Sequence, residues 1–115
     1  MPKLGVEHNG YRKGIKLFNS EAFFEAHEIL EEVWRTAPKE HKKFLQGLIQ
    51  VAVAMHHHSR GNVIGAQSLL ARASRNLSGY PEEFHGIRLS TFLRSLADWH
   101  RALAEGRPVP PLPKM

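Results

Sequence analysis

The chain has 115 residues, of which 42% are hydrophobic, with a formal net charge of +5 and no cysteine. This length and composition suit one globular domain with its own core rather than a disordered chain. The lack of cysteine excludes disulfides, zinc ribbons and cysteine nucleophiles. No apolar run reaches the roughly 18 residues of a membrane span, and the start of the chain lacks the apolar core of a signal peptide. We therefore expect a cytoplasmic protein with no membrane partner.

The periodicity of apolar residues predicts one helical domain over residues 1–115. Residues 1–16 carry scattered glycines and charges without a core pattern, and we expect an N-terminal leader there. Helical spacing then predicts four main helices, over residues 21–36, 40–60, 63–78 and 89–105. Residues 107–115 contain four prolines, so we expect an extended tail there that cannot be helical.

The second predicted helix is apolar on nearly every side from Phe44 to Met55. A helix that is apolar all round is buried all round, so this helix is expected at the centre. Gly47 lowers its stability by roughly 1 kcal/mol against alanine, and we expect a neighbouring helix to approach closely there in return. Because short connections favour antiparallel neighbours, the expected fold is all-α: a single-domain antiparallel bundle of four main helices around a buried central helix.

The first predicted helix places polar side chains among aromatic ones. On a helical wheel His27 falls inside the apolar arc that contains Phe23, Leu30 and Trp34, and Glu31 follows one turn later. Buried polar groups without partners cost about 1–3 kcal/mol each, so we expect partners from the second helix. Two interpretations stay open: a structural hydrogen-bonded pair, or a functional site for metal or acid–base chemistry.

Folding the first helix back on the second places Gln46 opposite Glu31 and a histidine near the start of the first helix. One seam would then be lined by His27, Glu31, Gln46 and either His56 or His57. Two imidazoles and a carboxylate are an adequate ligand set for zinc, iron or manganese. The same side chains without a metal would form a polar network.

Other patterns in the sequence are weaker. The spacing Glu82-x-x-His85 is that of ligands in di-iron bundles, but it occurs once, in a loop, and we treat it as chance. Apart from a group between Lys39 and Lys43, the basic residues are spaced singly, so we do not expect a nucleic-acid partner. A homodimer remains open, and its expected contact surfaces are the Tyr80–Pro81 region and the proline-rich tail.

One motif in the first two helices resembles the domain-of-unknown-function 309 family: Phe24-x-x-His27-Glu28-x-Leu30-Glu31-x-x-Trp34, followed by Leu45-Gln46-Gly47, His56 and Gly61. The resemblance covers about residues 18–80. It implies a small all-helical bundle without an established activity. The recurrent polar positions of the family map onto His27, Glu28, Glu31, Gln46 and His56, which favours His56 over His57.

These features leave the function open. The favoured interpretation is a structural or protein-interaction role for a buried His/Glu/Gln cluster. The alternative is a metal-dependent hydrolase or redox enzyme that uses His27, Glu28, Glu31 and His56, with His27, Glu31 and His56 as metal ligands. No cofactor is predicted, although the alternative would require a divalent metal.

Overall fold

The computed structural model describes residues 8–115, so residues 1–7 of the expected leader lie outside the described residues. The elements, in chain order, are α1 (Asn9–Asn19), α2 (Phe23–Thr36), α3 (Lys39–Ser59), α4 (Val63–Leu77), the strands β1 (Glu83–Phe84) and β2 (Ile87–Arg88), and α5 (Leu89–Glu105). The predicted helical class is confirmed, and each helix packs against its neighbour in the chain to form one globule. Over residues 8–115, no helix combines the length and the apolar composition that a membrane crossing requires.

Helix α1 is the main difference from the sequence prediction. The prediction of four main helices is wrong, because residues 9–16, assigned to the leader, are helical and bring the count within the described chain to five. Tyr11, Gly14 and Phe18 are buried on one face of α1. A Cβ atom added at Gly14 would lie 2.6 Å from Cδ2 of Leu30 in α2. The glycines that made this segment look like a leader therefore include one that the close packing of α1 on α2 requires.

Helix α2 begins two residues later than predicted, because the chain first has to close α1. The backbone N–H of Glu21 donates to the carbonyl of Phe18 at 2.9 Å, and that of Ala22 donates to the carbonyl of Leu17 at 2.9 Å. These bonds, with a left-handed Glu21 (φ 66°), form a C-terminal capping motif of the Schellman type. Glu21 thus ends α1 and does not begin α2.

Helix α3 supplies eight buried residues, more than any other helix in residues 8–115. It packs against both α2 and α4. A Cβ atom at Gly47 would lie 2.6 Å from Cγ of Leu77 in α4. The close approach predicted at Gly47 is confirmed, and α4 is the neighbour that makes it.

The segment between α4 and α5 is a small antiparallel hairpin in which Phe84 pairs with Ile87. Its two turn residues have positive φ angles, 46° at His85 and 81° at Gly86. Two consecutive positive φ values are typical of the type I′ turn, which joins strands through two residues. The hairpin therefore points the backbone of His85 toward α1, where the Tyr11 hydroxyl donates to its carbonyl at 2.7 Å.

The proline-rich tail lies across the other elements. The indole N–H of Trp99 in α5 donates to the carbonyl of Pro111 at 3.0 Å. The backbone N–H of Met115 donates to Oδ1 of Asn19 at 2.9 Å, and Lys114 Nζ donates to the Asn19 carbonyl at 3.0 Å. The tail thus connects α5 with the end of α1.

Candidate functional site

The charged and imidazole side chains of the α2 motif, those of His27, Glu28 and Glu31, are at least partly exposed rather than in the core. The buried stripe of this helix consists of Ala26, Leu30 and Val33, about 90° round the helix from His27. The His27 side chain is 23% exposed and that of Glu31 is 43% exposed. None of the described polar or charged residues is fully buried. The predicted buried cluster is wrong, because α1 packs on α2 and shifts the buried face of α2 away from His27.

His27 and Glu31 are in contact, as their spacing predicts. Nε2 of His27 lies 3.3 Å from Oε2 of Glu31, and its Nδ1 lies 3.2 Å from the carbonyl of Phe24. Both partners are acceptors, and the tautomer of His27 determines which of them receives the ring N–H. The second oxygen of Glu31 lies 3.6 Å from the Arg35 guanidinium. This is a surface ion-pair network, and pairs of this kind contribute about 0–1 kcal/mol.

Trp34 is also less enclosed than the sequence analysis assumed. Its side chain is only partly buried, and Nζ of Lys42 lies 4.3 Å from the ring centroid in a cation–π contact. Its indole N–H is buried without a hydrogen-bond partner. Replacing a fully buried tryptophan by alanine costs about 3–5 kcal/mol, and we expect a smaller loss for Trp34→Ala because its side chain is only partly buried.

The residues expected from α3 do not complete a seam with His27 and Glu31. Gln46 is exposed. Gln50, one turn after Gln46, faces α4 and accepts a hydrogen bond from Asn76 at 2.8 Å. Glu28 is exposed on α2. In the described part of the chain, no three His, Asp or Glu side chains stand close enough together to hold a metal ion.

His56 reaches α2 through an aromatic contact instead. The Phe24 ring lies 5.4 Å from the His27 ring on its own helix and 5.4 Å from the His56 ring of α3. Phe24 is nevertheless 49% exposed. The exposed ring of Phe24 therefore contacts both His27 of its own helix and His56 of α3.

The Phe24 surface continues along the end of α3 to the start of α4. The His56 ring lies 6.4 Å from that of His57, and Nδ1 of His57 is 3.3 Å from Nδ2 of Asn62, which caps α4. The first two residues of α4, Val63 and Ile64, are 40% and 81% exposed. We name this surface the Phe24–Ile64 strip; its members are Phe24, His56, His57, Asn62, Val63 and Ile64.

A second cluster joins the first turn of α3 to the hairpin. Nε2 of His41 lies 3.4 Å from Nε2 of His85, while Nδ1 of His41 is buried without a partner. The Phe44 and Phe84 rings lie within 6 Å of His85. At this distance one of the two rings can donate a hydrogen bond to the other.

Burial lowers the pKa of His85, and the neighbouring His41 lowers it further. Burial also raises the pKa of the Tyr11 hydroxyl, which is consistent with its role as a donor to the hairpin. This site was missed by the sequence analysis, which noted His85 only for its spacing from Glu82. The usable signal was His85-Gly86 between Phe84 and Ile87, because a glycine-containing pair between apolar residues is typical of a hairpin.

The fold and these surfaces define a small helical domain whose motif on α2 and α3 combines buried apolar residues, such as Leu30 and Leu45, with polar residues that are at least partly exposed, such as His27 and Gln46. Residues 11–69 match the family described as "Domain of unknown function (DUF309)", which is half of the chain. The chain therefore belongs to the DUF309 family. The match includes the motif and α1 to α3, but it ends before the hairpin and His85.

Two curated relatives are themselves uncharacterised. The protein YpuF of Bacillus subtilis (strain 168) is 50% identical over 56 residues, which are 48% of this chain and 32% of YpuF. A protein of Aquifex aeolicus (strain VF5) is 38% identical over 73 residues, which are 63% of this chain and 22% of that protein. The alignments thus span about a third or less of these relatives, and the function of the family is unknown.

Proposed function

We propose that this chain is a protein-interaction module that docks through the Phe24–Ile64 strip, with a second copy of the chain as its partner. One observation carries the proposal. The large apolar side chains that are exposed in residues 8–115 are Phe24, Val63 and Ile64, and all three belong to this strip. Isolated apolar side chains on a surface are ordinary, whereas several of them that are linked through further side chains, here those of His56, His57 and Asn62, favour an interaction site.

Charges of both signs beside the strip support self-association. Glu25 and Glu28 are exposed on α2 beside Phe24, and Arg60 is exposed at the end of α3 beside His57. A two-fold interface places the surface of one copy against the same surface of the other. Carboxylates and a guanidinium on one such surface are complementary charges.

The expected association is weak. Three large apolar side chains form a small contact, and interfaces of small area are typical of transient complexes. We therefore expect a dissociation constant on the order of micromolar or weaker. The longer relatives fit this proposal, because in them the family segment is one part of a larger chain.

The scaffold of the strip is proposed to be an antiparallel bundle with α3 at its centre. The contacts of α3 with both α2 and α4 support this arrangement. A cytoplasmic location stays part of the proposal, supported by the absence of cysteine. No contact in residues 8–115 favours the metal-dependent hydrolase or redox alternative, because His27 and His56 meet Phe24 rather than a common ligand position.

Sedimentation velocity over a range of about 5–500 µM tests the proposal on the full chain. We expect the sedimentation coefficient of the unaltered protein to rise with concentration toward that of a dimer. Phe24→Lys and Ile64→Lys should each keep the protein monomeric, because a two-fold interface would place the new ammonium groups against apolar surface. Both positions are exposed, so the fold should survive both changes.

Gln46→Lys is the matched control, since it adds the same charge at an exposed position of α3 outside the strip. It should associate like the unaltered chain. A protein that stays monomeric at the highest concentration would refute self-association. Association that persists unchanged in Ile64→Lys would refute the strip as its site.

A further inference from the structure

We propose that a cavity between α1 and the hairpin binds a small amphipathic anion, that is, a molecule with an apolar body and a carboxylate, sulfonate or phosphate group. The cavity has a volume of about 590 Å³, within the usual range of sites for small molecules. It lies on a different part of the chain from the Phe24–Ile64 strip. It therefore does not depend on the proposed self-association.

The charged side chains that line the cavity are basic. Arg12, Lys13 and Lys16 of α1 are among its lining residues, and His85 adds an imidazole from the hairpin. No Asp or Glu side chain is among the described residues that line it, and within residues 8–115 no carboxylate side chain forms an ion pair with these three cations. Neighbouring charges of one sign at a concave surface raise the local concentration of the opposite ion. The cavity therefore favours an anion.

The rest of the lining indicates that the ligand carries an apolar body. Ile15 of α1, Ile87 of β2 and Met115 of the tail line the cavity, and its accessible apolar surface comes mainly from Ile15 and Met115, because Ile87 is almost fully buried. An inorganic anion without an apolar body would fill only a small part of the cavity volume and would leave this apolar surface in contact with water. A molecule of about 10–25 non-hydrogen atoms would cover the surface and still reach the cations.

The walls of the cavity are held together by hydrogen bonds between distant parts of the chain. Tyr11 of α1 donates to the carbonyl of His85 in the hairpin at 2.7 Å. Asn19 of α1 accepts from the backbone of Met115 in the tail at 2.9 Å. Because α1 is hydrogen-bonded to both the hairpin and the tail, the cavity is formed before a ligand arrives. A preformed cavity lowers the entropy cost of ordering the protein when the ligand binds.

Fluorescence titration with two related probes tests this site on the full chain. One probe is the anion 8-anilinonaphthalene-1-sulfonate, and the other is N-phenyl-1-naphthylamine, which has the same aromatic body without the charge. We expect the anion to bind more tightly than the neutral probe. The triple variant R12Q/K13Q/K16Q should weaken binding of the anion about tenfold, as expected when several surface ion pairs are lost, and should change that of the neutral probe less than about twofold.

The matched control, K43Q/R72Q/R75Q, removes the same charge from exposed positions outside the cavity. It should leave the affinity for the anion within about twofold of that of the unaltered chain. Equal weakening by the two triple variants would mean a net-charge effect and would overturn the proposal. Amide chemical shifts should change on addition of the anion in α1 and at residues 85–87; changes confined to the Phe24–Ile64 strip would overturn it as well.

Discussion

At the scale of single residues, His27 shows how a helix that was not predicted, α1, changes the interpretation of a motif. Its contact with Glu31 follows from the spacing of four residues on one helix, and the sequence is sufficient to predict it. Its burial depends on which face of α2 is covered, and that face is set by α1. The pair is therefore predictable as a contact but not as a core feature.

We expect His27→Ala to lower the free energy of unfolding by about 0.3–1 kcal/mol, as is usual for an exposed ion pair. A loss of several kcal/mol would require Glu31 to be left buried, but its side chain is 43% exposed. Urea unfolding measures the difference. Leu30→Ala on the same helix is the control, and because Leu30 is fully buried it should cost about 2–5 kcal/mol. A loss above about 2 kcal/mol for His27→Ala would indicate that the His27 side chain is buried in the core.

The lowered pKa of His85 predicts a dependence of stability on pH. The unfolded chain binds a proton at this residue near its ordinary pKa of 6.5, while the folded chain binds it only at lower pH. Stability is therefore complete above about pH 6.5 and decreases as the pH falls from there toward the pKa of the folded state. His85→Asn should remove part of this decrease, and asparagine tolerates the positive φ of this position.

The midpoint of urea unfolding at about pH 7.5 and 5.5 measures this effect. The unaltered chain should lose more stability between the two values than His85→Asn. His100→Asn, on α5 and away from the hairpin, should behave like the unaltered chain. An identical loss in His85→Asn would mean that other groups cause the pH dependence.

At the scale of the elements, Gly47 connects a sequence signal to a packing contact. A glycine in the middle of an apolar helix is unfavourable for the helix itself, so its presence predicts a close neighbour. The neighbour is Leu77 of α4. We expect Gly47→Ala to destabilise the protein by about 1–2 kcal/mol, because overpacking costs about 1–3 kcal/mol and helix propensity returns up to about 1.

A double-mutant cycle separates the two contributions. In the background of Leu77→Ala the contact that opposes the new methyl group is gone, so Gly47→Ala should be neutral or stabilising there. Thermal or urea unfolding of the four proteins gives the coupling. The packing explanation fails if Gly47→Ala raises the stability of the unaltered chain.

Helix α1 and the hairpin were the elements that the sequence did not predict. The sequence signals for α2, α3, α4 and α5 are long apolar stripes, and their boundaries in the structure differ by at most two residues from the predicted ones. In α1 the stripe is interrupted by Gly10 and Gly14, and the second of these is buried against Leu30. A helix whose buried face includes a glycine gives little periodicity, although its packing is tight.

At the scale of the whole molecule, the two proposed surfaces lie on different segments. The Phe24–Ile64 strip is formed by the ends of α2, α3 and α4, and all its members fall within the 11–69 segment that matches the family. The cavity uses α1 together with His85, Ile87 and the tail, which lie outside that segment. The basic residues of the cavity, Arg12, Lys13 and Lys16, lie within the matched segment, whereas its hairpin and tail walls do not.

The most direct test of the interaction surface is an isotope-filtered NOE experiment on an equal mixture of labelled and unlabelled chains. The concentration should be one at which sedimentation shows dimer. The proposal predicts intermolecular contacts from the methyl groups of Val63 and Ile64 to the Phe24 ring or to the same methyl groups of the second copy. Intermolecular contacts confined to α1, Tyr80 or the proline-rich tail, or no contacts at all in a sample that contains dimer, would contradict it.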